Sequence, residues 1–124
     1  MITGVGVDII EIGRIKKAVQ KHGKSFLQKV YTPSEILYCQ LLKSYRYPEL
    51  AVRFAAKEAY SKALGTGIRG FGRSNKGVGW LDVEVVNDKR GKPLIAVKGR
   101  VNKKIHVSLS HSRDQAIAFV VLEN

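Results

Sequence analysis

Phe54, Glu58, Ser61 and Lys62 fall on one side of a helix over residues 49–64, because residues three and four apart are neighbours on a helical surface. Glu58 and Lys62 therefore come within reach of each other. On an exposed surface such a pair is commonplace and contributes about 0.3–0.5 kcal/mol. The neighbourhood here is less ordinary. Lys43, Arg46 and Arg53 precede the pair, with Arg53 outside the Glu58 row but near enough to reach around, and Gly65-Thr66-Gly67 follows it. A phosphate-bearing ligand could lie along such a helix with its anions near these cations. A carboxylate among cations also suits a hard divalent ion, which is satisfied by one or two carboxylates plus phosphate oxygens and water. Asp8 is the candidate second carboxylate, although spacing along the chain does not show that it meets Glu58.

No serine, histidine and acid arrangement reads as a nucleophilic triad, and His22, His106 and His111 lack metal-ligand spacing. The chemistry on offer needs no protein nucleophile. If one substrate brings a hydroxyl and another a pyrophosphate, the protein must supply positioning, a metal, a base and a cation for the leaving group.

The elements that must hold these groups are legible from periodicity. Residues 2–10 alternate with period two, placing Val5, Val7 and Ile9 on one face and Gly4, Gly6 and Asp8 on the other. Glycines inside a strand mark either a close approach to its backbone or a strand that twists near its end. Ile12, Ile15 and Val19 predict an amphipathic helix over 11–22 that stops at Gly23, with Arg14, Lys17, Lys21 and Lys24 forming a basic ridge on another side. Thr32-Pro33-Ser34-Glu35 predicts a capping box and a helix running to about Leu42. The helix over 49–64 is rich in Ala and ends at Gly65.

Residues 65–79 read as a glycine-rich basic loop. Strands are expected at 80–87, 94–98, 104–111 and 116–122, the last as a buried strand, with turns at 87–91 and 112–115 supporting antiparallel hairpins. Helices in the first half and antiparallel strands in the second indicate an α+β fold, expected as one domain over 1–124 with the first strand joining the sheet.

Charge narrows the partners. Twenty-two Lys and Arg against ten Asp and Glu leave a net charge of +12, a field that favours acidic proteins, phosphorylated cofactors, nucleic acid or anionic membranes without choosing among them. A nucleic-acid-binding module would account for the charge but not for Asp8 and Glu58, and lacks aromatics interleaved with the basic loop. A non-catalytic subunit that binds an acidic partner would keep the basic ridge without needing the carboxylates. The single Cys39, an ordinary packing residue on this reading, and the lack of a signal-peptide pattern fit a reducing, cytoplasmic setting. The longest apolar run, 116–122, is far short of the roughly 20 residues of a membrane span.

Four blocks carry a resemblance. GVGVDIIEIGRI at 4–15, RFAAKEAYSKALGTGI at 53–68, WLDVEVVNDKRGKP at 80–93 and VSLSHSRDQAIAFVVLE at 107–123 together resemble the holo-acyl-carrier-protein synthases, a family of 4'-phosphopantetheinyl transferases. The resemblance implies transfer of the 4'-phosphopantetheine arm of coenzyme A to a serine of an apo acyl carrier protein, with release of adenosine 3',5'-bisphosphate, in support of fatty acid biosynthesis. It implies magnesium on Asp8 and Glu58, proton acceptance by Glu58, and stabilisation of the departing phosphate by Lys62. Coenzyme A contacts would come from Arg53, Ser61, Lys62 and Gly65, and from Arg90, Gly91, Lys92, Pro93 and His111 of a neighbour in a homotrimer with active sites between subunits. The ridge Arg14, Lys17, Lys21 and Lys24 would dock the acidic carrier protein. Two departures stand out: residues 69–79 are longer than in many members, and Gln115 stands where an aromatic is common.

Overall fold

The structure, a computed structural model, describes residues 1–68 and 78–124. Its elements run β1 (Ile2–Glu11), α1 (Ile12–His22), α2 (Lys24–Val30), α3 (Pro33–Cys39), α4 (Tyr47–Leu64), a 3-10 turn (Trp80–Asp82), β2 (Val83–Asn87), β3 (Pro93–Val97), β4 (Arg100–Val101), β5 (Ile105–His111) and β6 (Gln115–Glu123). The α+β organisation is as expected, with two antiparallel three-stranded sheets ordered β1-β6-β5 and β2-β3-β4 in place of one. The first strand joins the former, where Asp8 lies opposite Ala118.

The glycine row of β1 has a definite partner. A Cβ on Gly4 would strike the carbonyl oxygen of Ala63, and one on Gly6 the carbonyl oxygen of Ala59. Strand and helix backbones thus touch directly, with Ala55 and Ala59 of α4 fully buried in the core. Close approach, not twist, explains the glycines. The face left outside is the apolar one, with Val5 58%, Val7 52% and Ile9 57% exposed.

On β6, Ala116, Ala118 and Val120 are buried while Ile117 and Phe119 are 39% and 43% exposed, so this strand is half-covered and not the fully buried strand expected. A continuous apolar run reports hydrophobicity on both faces, and only one face meets the helices.

Several boundaries shift for local reasons. The capping box forms as expected, Thr32 and Glu35 exchanging side-chain and backbone bonds, but α3 ends at Cys39, where a Gln40–Tyr45 bridge turns the chain. Gly23 ends α1 at φ 55° and at once opens α2, which the sequence reading missed and which carries Lys24 off the first helix. Trp80–Asp82 winds into a 3-10 turn before β2, its Asp82 carboxylate accepting from Gly79 N at 2.9 Å. The loop expected at 65–79 lies outside the described residues from 69 to 77.

Glu35 has a second task that its capping role conceals. Lys57 of α4 is fully buried and donates to Glu35 Oε1 at 2.6 Å, to Val30 O at 2.7 Å and to Trp80 O at 3.0 Å, while Glu35 Oε2 accepts from Val85 N at 2.9 Å. All three ammonium protons are used. The pair clips α2, α3, the 3-10 turn and β2 to the helix that carries the candidate site.

Candidate functional site

Two groups of candidate residues emerge, on opposite sides of α4. Lys62 reaches back to β1 and donates to Asp8 Oδ1 at 3.1 Å and Val7 O at 3.0 Å. This contact shows that the strand carboxylate and the helix meet, which neither segment's spacing could establish alone. Glu58 stands one turn before Lys62, half-buried, with its carbonyl accepting the buried Ser61 hydroxyl at 2.7 Å. Gly65 closes the helix at φ 80°. Asp8, Glu58, Ser61, Lys62 and Gly65 therefore border one side of the helix's C-terminal half.

Arg53 departs from the expectation. Nine residues separate it from Lys62, which at 100° per residue is a half-turn plus about 13 Å of rise, so the two side chains leave the helix in opposite directions. Arg53 is 1% exposed and paired with Glu49 at 2.8 Å, donates to Asn87 Oδ1 at 2.9 Å, and stacks 4.3 Å from the Tyr38 ring centroid. It does not reach around to the Glu58 row. Instead it lines a cavity of about 190 Å³ whose walls include Tyr38, Asn87, Gly91, Pro93 and His111. Its Nε is buried without a hydrogen-bond partner among the described residues.

The turn beside that cavity is held by Asp88, whose carboxylate accepts from the backbone N–H of Arg90 at 2.8 Å and of Lys92 at 2.9 Å. Gly91 sits at φ 85°, a conformation glycine adopts without strain. Asn87 Nδ2 donates to Gly91 O at 3.0 Å, so Glu49, Arg53, Asn87 and the turn form one hydrogen-bonded chain. The side chains of Arg90, Lys92 and His111 remain exposed. Sequence reading missed Tyr38, Glu49 and Asn87. The i, i+4 spacing of Glu49 and Arg53 was the available signal; Tyr38 gave none.

Arg14, Lys17 and Lys21 are all exposed on α1, with Lys24 exposed just past Gly23. These four exposed basic side chains are thus divided between two successive helices.

Whether the carboxylates suit a metal depends on their chemistry. Among the described residues no group of three or more His, Cys, Asp and Glu is gathered for a metal. Two hard oxygen donors do not make a zinc site, but they fit magnesium, which keeps water and ligand oxygens in the rest of its shell. Among the described residues, no helix is long and apolar enough to cross a membrane.

The model of the 4'-phosphopantetheinyl transferase superfamily matches residues 4–120. A holo-[acyl-carrier-protein] synthase of Halothermothrix orenii is 48% identical over 131 aligned positions, covering 99% of this chain and 98% of the relative. Among solved structures, a holo-(acyl-carrier-protein) synthase from Bacillus anthracis in complex with CoA (3',5'-ADP) is 44% identical with a TM-score of 0.81, covering 100% of this chain and 98% of that one. The Helicobacter pylori holo-[acyl-carrier-protein] synthase in complex with coenzyme A is 33% identical with a TM-score of 0.76, covering 96% and 99%.

Proposed function

The chain belongs to the 4'-phosphopantetheinyl transferase superfamily, among its holo-[acyl-carrier-protein] synthases, and from that membership we propose a magnesium-dependent transfer of 4'-phosphopantetheine from coenzyme A to a serine of an acidic apo acyl carrier protein. The observation that supports this reading at the atomic level is the Lys62–Asp8 contact, which sets Asp8 against the helix that carries Glu58 one turn before Lys62.

Asp8 and Glu58 would hold the magnesium ion, which when bound would supply charge neutralisation at the pyrophosphate. Lys62 holds the phosphate oxygens in line with the incoming serine hydroxyl. As the serine oxygen bonds to the phosphorus carrying pantetheine, Glu58 accepts its proton, and the pyrophosphate P–O bond breaks to release adenosine 3',5'-bisphosphate, whose new phosphate Lys62 stabilises. Ser61 and Gly65 shape the edge of this groove.

The remaining contacts are proposed to come from a second subunit. Because Arg53 and Lys62 face opposite ways, one subunit cannot wrap a single coenzyme A around both without crossing the helix. The cavity at Arg53, Gly91, Pro93 and His111, flanked by Arg90 and Lys92, serves the adenosine bisphosphate end of a ligand whose pyrophosphate lies at a neighbour's Asp8. The exposed apolar face of Val5, Val7, Ile9, Ile117 and Phe119 supports a homotrimer, because a contiguous patch of this kind is normally covered. The carrier docks on Arg14, Lys17, Lys21 and Lys24, where rim charges raise association rate. The setting is fatty acid biosynthesis in the cytoplasm, with no nucleic acid partner.

Incubation with coenzyme A, magnesium and apo acyl carrier protein, followed by weighing the carrier, tests the activity. A phosphopantetheine mass gain that disappears in Asp8→Ala and Glu58→Ala is expected; no gain with wild-type protein refutes it.

A further inference from the structure

Lys62 and Lys57 are both lysines of α4 bonded to a carboxylate, yet they are built differently. Lys57 is sealed in the core with every proton assigned to a fixed acceptor. Lys62 has 51% of its side chain exposed and spends two donors on β1, on Asp8 Oδ1 and on the neighbouring carbonyl of Val7. A half-exposed pair of this kind exchanges partners readily, whereas a buried one does not. Asp8 itself is 16% exposed and stands on the strand whose glycines touch α4.

We propose that Lys62 is a built-in occupant of the cation site: without a metal its ammonium stands in at Asp8 and keeps that carboxylate turned toward α4, and it must leave before Asp8 can ligate a cation. The inference rests on the proposed Asp8–Glu58 site. Both positions of Lys62 are useful. On Asp8 it preserves the site's geometry, since an unpaired carboxylate beside a carbonyl oxygen would turn away. Released, it carries its charge to the phosphate that arrives with the cation. Cation binding and phosphate capture are then linked through one side chain, and the cation binds more weakly to the free protein than its two carboxylates would allow.

Direct binding of manganese, followed by its electron paramagnetic resonance signal without coenzyme A, tests this. At low ionic strength Lys62→Met should bind manganese roughly tenfold more tightly than wild type, the order expected from removing a competing charge a few ångströms away in a partly screened site. Lys103→Met, which removes the same charge from the exposed turn between β4 and β5, should leave the affinity unchanged. Asp8→Asn should lose binding in either background. Unchanged or weaker binding by Lys62→Met, or an equal gain in Lys103→Met, overturns the proposal while leaving the metal site intact. Undiminished binding by Asp8→Asn sinks the metal assignment itself. Circular dichroism confirms that each variant is folded.

Discussion

Glu35 and Lys57, from two different helices, form an ion pair of 2.6 Å with both side chains fully buried. Burial pulls the lysine pKa below its ordinary value, with Glu35 opposing the shift. Removing one partner leaves a charge that has lost both water and its counter-ion. Lys57→Met should therefore cost about 3–5 kcal/mol in urea unfolding, and the double variant Glu35→Gln, Lys57→Met should recover a measurable part. Additive losses would show that the two side chains act separately.

Gly6 should tolerate no side chain. Its Cβ would meet a helix carbonyl, and main chain cannot yield as a flexible side chain does. Gly6→Ala is expected to lose several kcal/mol and most of its transfer activity, because β1 and Asp8 must move away from α4. Gly13, in α1, is the counterpart, since a Cβ there would meet nothing within 4 Å beyond its chain neighbours and the helix's own backbone. Gly13→Ala should gain about 0.5–1 kcal/mol with activity retained. Thermal melts and the carrier assay distinguish the two.

Arg53 and Lys62 should fail in different ways. Arg53 shapes the cavity and steadies Asn87 beside the turn, so Arg53→Met should raise KM for coenzyme A roughly tenfold with little change in kcat. Lys62→Met should depress kcat. Equal effects of both on kcat would contradict the division of labour along α4.

The apolar face of β1 and β6 predicts assembly. Val7 lies opposite Phe119 in the sheet, and both are exposed. Wild-type protein should sediment as a trimer and Val7→Glu as a monomer that stays folded but inactive. A monomeric, fully active wild type would end the shared-site proposal.

Cys39 offers a pH signature. Burial raises its thiol from 9.0 to about 11, partly opposed by Arg53. A raised folded pKa favours folding while the thiol stays protonated, so this contribution is complete below pH 9.0 and is lost as the pH rises through about 11. Melting temperature should fall over that window, and less steeply in Cys39→Ala. At neutral pH the thiol should resist modifying reagents until the protein unfolds.

What the sequence determined by itself is what neighbouring residues decide among themselves. The Thr32–Glu35 capping box, the Gly23 and Gly65 stops, the alternation of β1 and the shared row of Glu58 and Lys62 all follow from spacings of a few residues, and the motif blocks tied them to one family. Tertiary structure decided what spacing leaves undetermined. Alternation showed that β1 has two unlike faces, but not that the glycine face goes inward and the valines outward; that depended on α4 bringing small residues close enough for backbones to touch. It decided that Glu35, legible as a cap, would also neutralise a lysine 22 positions away. It also set Lys62 on Asp8 and turned Arg53 to the far side of the same helix, because a side chain's partner is chosen by whichever element packs against its face.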